Sequence, residues 1–283
     1  MSVLTQTVPL ANGTQIPVVG FGTWLLKEGD ECYHAVSEAL RLGYRHIDTA
    51  RAYYNEASVG RAIRDSGVPR EQIYVTSKLP AEAKSYGEAV AEFETTMTEI
   101  GLDYLDLYLV HAPWPWNEMG KDCRAENKEI WKAMEEFLAS GRVKAIGVSN
   151  FDPDDLASLL PACRVLPMVN QIRWFVGLDP SATVEACKAN GIVVEAYSPF
   201  AHGLIVNHPE LSDIAARYDV SAPQLCIRYL LQKGAVVLPK ATSTPHIQQN
   251  AALDFEISDA DMAILDGMRD TEKHPDAVEF RWS

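Results

Sequence analysis

The chain has 283 residues, of which 47% are hydrophobic and 23% charged, and its formal net charge is -14 at pH 7. This balance is typical of a globular protein with a sizeable core, and the acidic charge argues against nucleic acid and anionic membranes as partners. Five scattered cysteines without a CxxC pair argue against a disulfide framework and against a metal site.

Three further expectations follow from these bulk properties. The N-terminal segment MSVLTQTVPLANGTQIP has no basic region followed by an apolar stretch, so we expect no signal peptide and a cytoplasmic location. No apolar run approaches the roughly 20 residues that span a bilayer. The acidic surface and the lack of an obvious exposed apolar helix face favour a monomer.

The first predicted element is a β-hairpin over residues 3–17, where Asn12–Gly13 forms a turn signal between two apolar stretches. Short β-branched runs then alternate with longer segments of helical period. Eight such runs predict strands, which begin near Val18, Tyr44, Ile73, Leu105, Ala145, Met168, Ile192 and Ala235. Eight parallel strands, each followed by a helix, predict an α/β fold, the (β/α)8 TIM barrel, whose N-terminal mouth the hairpin would close. No segment resembles a linker, so we expect residues 1–283 to form a single domain.

The helices between the strands have clear start and stop signals. Periodic apolar residues predict helices over Gly29–Arg41, Tyr86–Ile100 and Asn127–Ala139, each followed closely by a glycine. Asp152–Pro153 and Asp179–Pro180 each combine an N-cap residue with a first-turn proline, and they predict two further helix starts. The segment DADMAILDGM predicts an extra C-terminal helix.

Four ionisable residues lie at or just beyond the C-terminal ends of predicted strands: Asp48, Tyr53, Lys78 and His111. In a barrel of parallel strands these ends converge on the face where the loops build active sites. An acid, a phenol, an amine and an imidazole are therefore expected to meet in one pocket. Together they would form a proton donor, which favours an enzyme.

The chemistry of this group follows from the pKa of tyrosine, which is about 10 in water. A buried ammonium beside the phenol would lower that pKa by favouring the phenolate. We therefore expect Tyr53 to be the general acid, Lys78 to lower its pKa, and Asp48 to hold Lys78 charged and in place. His111 would orient a carbonyl oxygen or complete a proton relay.

Each of the four residues also has an ordinary structural explanation. Asp48 would serve as a cap, Tyr53 as a packing residue, Lys78 as a solvated loop residue and His111 as a hydrogen-bonded interior residue. Their convergence on one predicted face favours the catalytic interpretation over these four separate alternatives.

A series of motifs runs through nearly the whole chain in a fixed order. It comprises GFGTW at 20–24, HIDTA at 46–50, DLYLVH at 106–111, GVSNF at 147–151, NQ at 170–171, AYSP at 196–199 and PK at 239–240. This series resembles that of the aldo-keto reductases, and the short C-terminal end resembles the prokaryotic 2,5-diketo-gluconate reductase-like branch. The resemblance implies an NADPH-dependent carbonyl reductase that binds its cofactor without a Rossmann domain. The chain accordingly has no GxGxxG motif after a strand.

The resemblance also implies roles for individual residues. It makes Asp48, Tyr53, Lys78 and His111 the catalytic tetrad, and Tyr197 the ring on which the nicotinamide stacks. An N-terminal cap is the alternative role for Asn150. The implied cofactor contacts are Gly22, Thr23, Ser149, Asn150, Gln171, Tyr197, Ser198, Leu204, Lys240, Thr242, His246 and Asn250.

The sequence departs from the family pattern around the last cofactor segment. The family usually has a serine after the lysine and an arginine six residues past it, and both serve the adenosine 2′-phosphate. This chain has Ala241 and His246 at these positions. The changes should weaken recognition of a dianionic phosphate, so we expect NADPH as cofactor with NADH use possible.

The expected substrate pocket has apolar walls from Trp24, Ala112 and Trp114. The short C-terminal end implies a relatively open site for an aldehyde, an α-dicarbonyl or a keto sugar. Two alternative functions remain at this point. The first is a cofactor-binding regulatory subunit, and the second is an aldolase that uses Lys78 as a Schiff-base nucleophile.

Overall fold

A computed structural model describes residues 2–273 of the chain. After a short 3-10 turn at Val3–Thr5, strands β1 (Thr7–Pro9) and β2 (Gln15–Pro17) pair antiparallel and form the predicted hairpin. Leu10 and Ile16 belong to a buried apolar cluster. The cluster also contains residues at or near the N-terminal ends of the barrel strands: Tyr74, Leu107, Ala145, Met168, Val169 and Val236. The hairpin therefore packs against the N-terminal end of the barrel, as the sequence predicts.

Eight parallel strands follow in a single sheet whose spatial order is the order of the chain. They are β3 (Phe21–Gly22), β4 (His46–Asp48), β5 (Tyr74–Leu79), β6 (Leu105–Val110), β7 (Val143–Ser149), β8 (Val169–Arg173), β9 (Val193–Tyr197) and β10 (Val236–Leu238). The first and last strands meet through a parallel bridge between Val19 and Val237, and the Gly20 amide donates to the Val237 carbonyl over 2.9 Å. These bonds close the sheet into a barrel, so the predicted (β/α)8 TIM-barrel fold is confirmed.

Ten α-helices accompany the strands in the part of the chain described. They are α1 (Asp30–Arg41), α2 (Glu56–Asp65), α3 (Tyr86–Ile100), α4 (Arg124–Ala139), α5 (Pro153–Leu159), α6 (Ser181–Ala189), α7 (Pro209–Ala216), α8 (Ala222–Gln232), α9 (Thr244–Gln249) and α10 (Asp259–Gly267). Further 3-10 turns lie at Arg51–Tyr53, Arg70–Gln72, Trp116–Glu118, Leu160–Ala162, Ala201–Gly203 and Thr271–Lys273. The predicted C-terminal helix corresponds to α10. The assignment of residues 1–283 to a single domain stays a prediction.

Local signals place most helix ends where the sequence predicts them. Helix α5 begins after the N-cap Asp152, whose side chain forms a capping box with Asp155. Helix α6 differs, because Pro180 occupies the N-cap position and Asp179 instead accepts a hydrogen bond from the Ser181 amide over 3.1 Å. Helix α4 also begins three residues earlier than predicted, at Arg124.

Apolar side chains fill the layer between the barrel and the surrounding helices. The outer face packs against the helices through large buried side chains such as Phe93, Trp131 and Phe137, and Phe93 and Phe137 stack with ring centroids 4.0 Å apart. The inner face leaves little room, since a Cβ atom on Gly147 would lie 2.5 Å from the Val169 carbonyl oxygen. No helix within residues 2–273 has both the length and the apolar character needed to cross a bilayer.

Candidate active site

A buried ion pair lies at the C-terminal end of the barrel, between the ends of β4 and β5. Nζ of Lys78 is 2.7 Å from Oδ1 and 2.8 Å from Oδ2 of Asp48, and it also donates to the Thr49 carbonyl over 2.9 Å. The Lys78 side chain is 0% exposed and that of Asp48 is 4% exposed. The Lys78 ammonium is therefore held in place by the Asp48 carboxylate and by the backbone carbonyl of Thr49.

Tyr53 stands over this pair at the end of the 3-10 turn Arg51–Tyr53 that follows β4. Its hydroxyl oxygen is 3.4 Å from Nζ of Lys78, and the same ammonium lies 4.9 Å from the centroid of the phenol ring. Tyr53 is only partly buried, so its phenol is placed between the buried ion pair and the mouth of the barrel. The sequence prediction that these three residues converge thus agrees with the geometry.

The direction of the Tyr53 pKa shift differs from the expectation. Burial of the phenol and the nearby carboxylates of Asp48 and Glu195 raise the pKa of Tyr53 well above 10. The expected lowering by Lys78 is absent because the charge of its ammonium is offset by the Asp48 carboxylate in the same ion pair. Tyr53 consequently stays protonated across the physiological pH range, which is the state that a proton donor requires.

His111 follows β6 and completes the group. Its ring centroid lies 5.6 Å from that of Tyr53, with the two planes at 70°. Burial and the nearby Lys78 ammonium hold the pKa of His111 well below 6.5. The imidazole is therefore neutral at pH 7, so that one ring nitrogen carries a proton and can donate it in a hydrogen bond.

Glu195, on β9, is a residue of this site that the sequence analysis missed. It is 0% exposed, and its Oε2 accepts a hydrogen bond from Nε2 of Gln171 over 2.6 Å. The same Gln171 nitrogen donates to Oδ2 of Asp48 over 2.9 Å. The available signal was a carboxylate inside the otherwise apolar strand sequence VVEAY, since such residues are rarely buried without a partner.

Residues predicted to hold the nicotinamide carboxamide form one hydrogen-bonded group. Asn150 donates through Nδ2 to the His111 carbonyl over 2.9 Å, and its Oδ1 accepts from the Tyr197 hydroxyl over 2.8 Å. The Ser149 hydroxyl donates to the Gln171 carbonyl over 2.8 Å. Because Asp152 caps α5, the alternative role of Asn150 as a helix cap is excluded.

The loop that follows β3 holds the backbone of Asp48 through hydrogen bonds. Thr23 is 0% exposed, and its hydroxyl donates to the Asp48 carbonyl over 3.0 Å. Nδ2 of Asn55 donates to the Thr23 carbonyl over 2.9 Å. Thr23 thus presents no surface to a cofactor and instead holds the backbone at Asp48, while the adjacent Gly22 lies at the end of β3.

The predicted adenosine side of the cofactor site lies between β10 and α9. Lys240 is half-buried, Thr242 and His246 are exposed, and Asn250 is buried at the end of α9. Burial lowers the pKa of Lys240, and the nearby Glu31 carboxylate offsets only part of this effect. A cavity of about 370 Å³ opens between α1 and this segment, and it is lined by Asp30, Glu31, His34, Ala35, Glu38, Thr242, Thr244 and Ile247.

Aromatic side chains surround the mouth. Trp116 is 37% exposed and meets the His111 ring edge-on, with centroids 5.3 Å apart, and Trp114 contacts Trp116 at 5.2 Å. Ala112 is 0% exposed, so Trp116 provides the wall beside His111. On the opposite side, Trp24 contacts His202 with ring centroids 4.9 Å apart.

The loops at the mouth hold an unusual backbone conformation. Among residues 2–273, eight residues other than glycine have a positive φ, and six of them follow strands at this end: Leu25, Tyr54, Asn150, Ser198, Ala201 and His202. The last three belong to the segment after β9 that also contains Leu204. Such strain persists only where the surrounding structure fixes it, and it concentrates at functional sites.

Comparison with known proteins agrees with this architecture. The sequence profile of the "Aldo/keto reductase family" matches residues 18–270. The chain belongs to this family. It is 39% identical over 281 residues to a glyoxal reductase from Bacillus subtilis, with 98% of this chain and 99% of that protein covered. The predicted NAD(P)H-dependent oxidoreductase is thereby confirmed at the level of the family, whereas the 2,5-diketo-gluconate reductase-like branch stays a prediction.

Solved structures give the same result. MGS-M4, an aldo-keto reductase from a deep-sea metagenome library, superimposes with a TM-score of 0.87 at 37% identity and covers 96% of this chain and 100% of that one. A Bombyx mori aldo-keto reductase (AKR2E4), crystallised in complex with NADP, gives a TM-score of 0.85 at 32% identity and covers 94% and 93% of the two chains. The fold is therefore that of other aldo-keto reductases.

Proposed function

We propose that this chain is an NADPH-dependent reductase of small aldehydes and α-dicarbonyls, with keto sugars as a further substrate class, and that Tyr53 is its general acid. The observation that carries the proposal is the contact between the Tyr53 hydroxyl and the Lys78 ammonium at 3.4 Å, above an ammonium that Asp48 and Thr49 hold in place. The family membership supplies the reaction class, and this geometry supplies the proton donor.

The proton moves from Tyr53 to the substrate. A reduced nicotinamide cofactor, when bound, would supply the hydride for the carbonyl carbon. The carbonyl oxygen takes the phenolic proton of Tyr53, so that an alcohol results. The phenolate that remains is stabilised by the Lys78 ammonium until water returns a proton. The raised pKa of Tyr53 keeps the phenol protonated before the reaction.

His111 orients the substrate beside this donor. Its imidazole is neutral and packs against both Tyr53 and Trp116 at centroid distances of 5.6 and 5.3 Å. A neutral imidazole can donate one hydrogen bond to the carbonyl oxygen without competing as an acid. The carbonyl is then held within reach of the phenolic proton, and positioning of this kind supplies much of the rate in such reactions.

The residues present fit a nicotinamide cofactor. Both carboxylate contacts of Gln171 use its amide nitrogen, which leaves the amide oxygen to accept from a carboxamide. Ser149 and Asn150 add further polar groups, and the Tyr197 ring is held by its hydroxyl bond to Asn150. Tyr197 is partly exposed, so its ring face is available for stacking. Ser198 and Leu204 would lie along the diphosphate.

The adenosine end supports NADPH with appreciable use of NADH. Lys240, Thr242, His246 and Asn250 would surround the adenosine, and the Bombyx mori relative was crystallised with NADP. However, Ala241 provides no hydroxyl group, and His246 provides no permanent charge. The three carboxylates that line the neighbouring cavity would also repel a dianionic 2′-phosphate.

The substrate class follows from the walls of the mouth. Trp24, Trp114 and Trp116 give it aromatic surface. This favours neutral carbonyl compounds of small size, including aromatic aldehydes. The relative that reduces glyoxal, by its name, supports α-dicarbonyls.

The aldolase alternative receives no support from the geometry. A Schiff-base lysine must reach the substrate as a neutral amine. Lys78 is 0% exposed, and its ammonium contacts both carboxylate oxygens of Asp48 and the carbonyl of Thr49. An amine held in this way is suited to stabilising a phenolate.

The test is a titration of the purified protein with NADPH and NADH, followed by tryptophan fluorescence. Glyoxal, methylglyoxal and a nitrobenzaldehyde are then added while the absorbance of the reduced nicotinamide is recorded. Tyr53→Phe is the matched variant, since it removes only the hydroxyl. We expect it to bind NADPH normally and to lose about 10²–10⁴-fold in kcat.

Three outcomes are informative. Carbonyl-dependent oxidation that Tyr53→Phe abolishes supports the proposal. Tight NADPH binding without oxidation by any carbonyl would favour a regulatory cofactor-binding protein instead. Unchanged kcat in Tyr53→Phe would show that another group donates the proton.

A further inference from the structure

The amide of Gln171 is clamped between two carboxyl groups inside the barrel. Its Nε2 donates to Oδ2 of Asp48 over 2.9 Å and to Oε2 of Glu195 over 2.6 Å. Gln171 and Glu195 are direct partners on β8 and β9, so their side chains lie side by side on the inner face. Gln171 is 2% exposed and Glu195 is 0% exposed.

This clamp decides which way the amide points. The reversed orientation would place the Gln171 carbonyl oxygen against the Asp48 carboxylate, whose two oxygens already accept from Nζ of Lys78. Two acceptor oxygens would then face each other in a site closed to water, with no donor between them. Only the orientation with nitrogen toward both carboxyl groups satisfies the contacts, and it directs Oε1 away from them.

We propose that Glu195 is a positioning residue for the cofactor. By holding Nε2 of Gln171, together with Asp48, it presents Oε1 of Gln171 as an acceptor for the carboxamide nitrogen of the nicotinamide. The inference rests on the proposed function, because it assumes that Gln171 contacts this part of the cofactor.

The surroundings of Glu195 argue against a purely structural role. Within the described residues its Oε1 has no hydrogen-bond partner, and the nearest cationic candidate, Nε2 of His46, lies 3.6 Å away. His46 is neutral at pH 7, since burial lowers its pKa to about 3. An apolar side chain of similar volume would avoid the cost of burying this carboxyl group. Such costs are concentrated at functional sites.

The charged and titratable groups that face Glu195 come from β4, from β5 and from the turn that follows β4. They are His46 and Asp48 on β4, Tyr74 and Lys78 on β5, and Tyr53 on the turn after β4. Burial and the Asp48 carboxylate raise the pKa of Glu195 to about 8, so it is mainly a neutral carboxylic acid at pH 7. Its contact with Gln171 therefore adds no second negative charge beside Asp48.

The experiment compares two variants with one control. Glu195→Leu removes the acceptor, whereas Glu195→Gln keeps an acceptor oxygen of the same reach. Tyr74→Phe is the control, because it removes a buried interior hydroxyl that has no hydrogen-bond partner in the described residues. Dissociation constants are measured by tryptophan fluorescence for NADP⁺ and for adenosine 2′,5′-bisphosphate, which lacks the nicotinamide.

We expect Glu195→Leu to weaken NADP⁺ binding about tenfold, which corresponds to about 1.4 kcal/mol. Binding of the bisphosphate should stay within about twofold, because a lost acceptor at Gln171 acts only on the nicotinamide end. Glu195→Gln should recover most of the NADP⁺ affinity, and Tyr74→Phe should match the wild type for both ligands.

Equal weakening of both ligands in Glu195→Leu would overturn the inference, since it would indicate general damage to the site. Unchanged NADP⁺ affinity in that variant would overturn it as well. If Glu195→Leu does not fold, Glu195→Thr, whose β-branched side chain cannot reach Gln171, provides the same comparison. Absence of NADP⁺ binding by the wild-type protein would instead refute the proposed function, so the two failures are distinguishable.

Discussion

Removing one partner of the Asp48–Lys78 pair should destabilise the protein far more than removing both. The two side chains are 4% and 0% exposed, and Nζ contacts both carboxylate oxygens within 2.8 Å. Asp48→Asn would leave the ammonium with neutral acceptors only, namely the amide oxygen of the new side chain, the Thr49 carbonyl and the Tyr53 hydroxyl. Lys78→Met would leave the carboxylate with Gln171 as its main donor.

The expected magnitude follows from this burial. Breaking a buried pair costs about 3–5 kcal/mol because the remaining charge has no counter-charge and little water. The double variant Asp48→Asn/Lys78→Met buries no charge and nearly preserves volume, so we expect it to lie within about 2 kcal/mol of the wild type. The two changes should therefore be strongly non-additive, with a coupling energy above about 3 kcal/mol.

Urea unfolding followed by tryptophan fluorescence gives the free energies of unfolding, provided that the slopes with urea agree among the four proteins. Asp106→Asn is a useful comparison, because its partner Arg70 lies 2.7 Å away with 21% of its side chain exposed, so water can compensate in part. Losses below about 1 kcal/mol in both single variants of the buried pair, or a double variant equal to their sum, would refute this account of the site.

Three further predictions concern the cofactor, the substrate and pH. Ala241→Ser combined with His246→Arg should raise the NADPH-over-NADH ratio of kcat/KM by about 10–100-fold, because charge-assisted bonds to the 2′-phosphate are gained. Trp116→Ala should raise KM about 2–10-fold for aromatic aldehydes and leave glyoxal unchanged, as measured by steady-state kinetics. Glu195 has an ordinary pKa of 4.5 that the folded protein raises to about 8, so the folded state retains a proton that the unfolded chain releases between these values. The free energy of unfolding of the wild type should thus fall by a few kcal/mol as the pH rises from about 4.5 to about 8. Glu195→Gln should lose less stability over the same range, as urea unfolding at several pH values would show.

The sequence predicted the fold well because its signals are local. Each barrel strand is a short apolar run with a helix behind it, and caps such as Asp152 act within four residues. Pro180 shows the limit of this logic. In α5 the aspartate of the Asp–Pro pair is the N-cap, whereas in α6 the pair lies one position earlier and Pro180 itself occupies the N-cap position. The difference arises from which side chain accepts from the first free amides, and pattern alone does not determine that.

The candidate site was predictable only in part. Strand ends brought Asp48, Lys78 and His111 to one face, because topology alone determines that convergence. Burial and pairing across strands depend on three-dimensional register, so the sequence did not show that Glu195 meets Gln171 or that Thr23 supports the Asp48 backbone. For the same reason it gave the wrong sign for the Tyr53 pKa shift, since a pairwise view counted the ammonium and omitted the carboxylates around it.

The balance of charges in the barrel explains how an unusually weak acid can still act as the donor. At pH 7 the Asp48 carboxylate and the Lys78 ammonium cancel, while His46, His111 and Glu195 are neutral because burial shifts each pKa toward the uncharged form. These five groups together therefore carry no net charge that would draw the proton from Tyr53. When a carbonyl oxygen gains negative charge, the phenolic proton has an acceptor, and Lys78 lies 3.4 Å from the oxygen that becomes a phenolate. Stabilisation by the ammonium thus appears mainly as the proton leaves, and interactions made in the transition state are those that raise kcat.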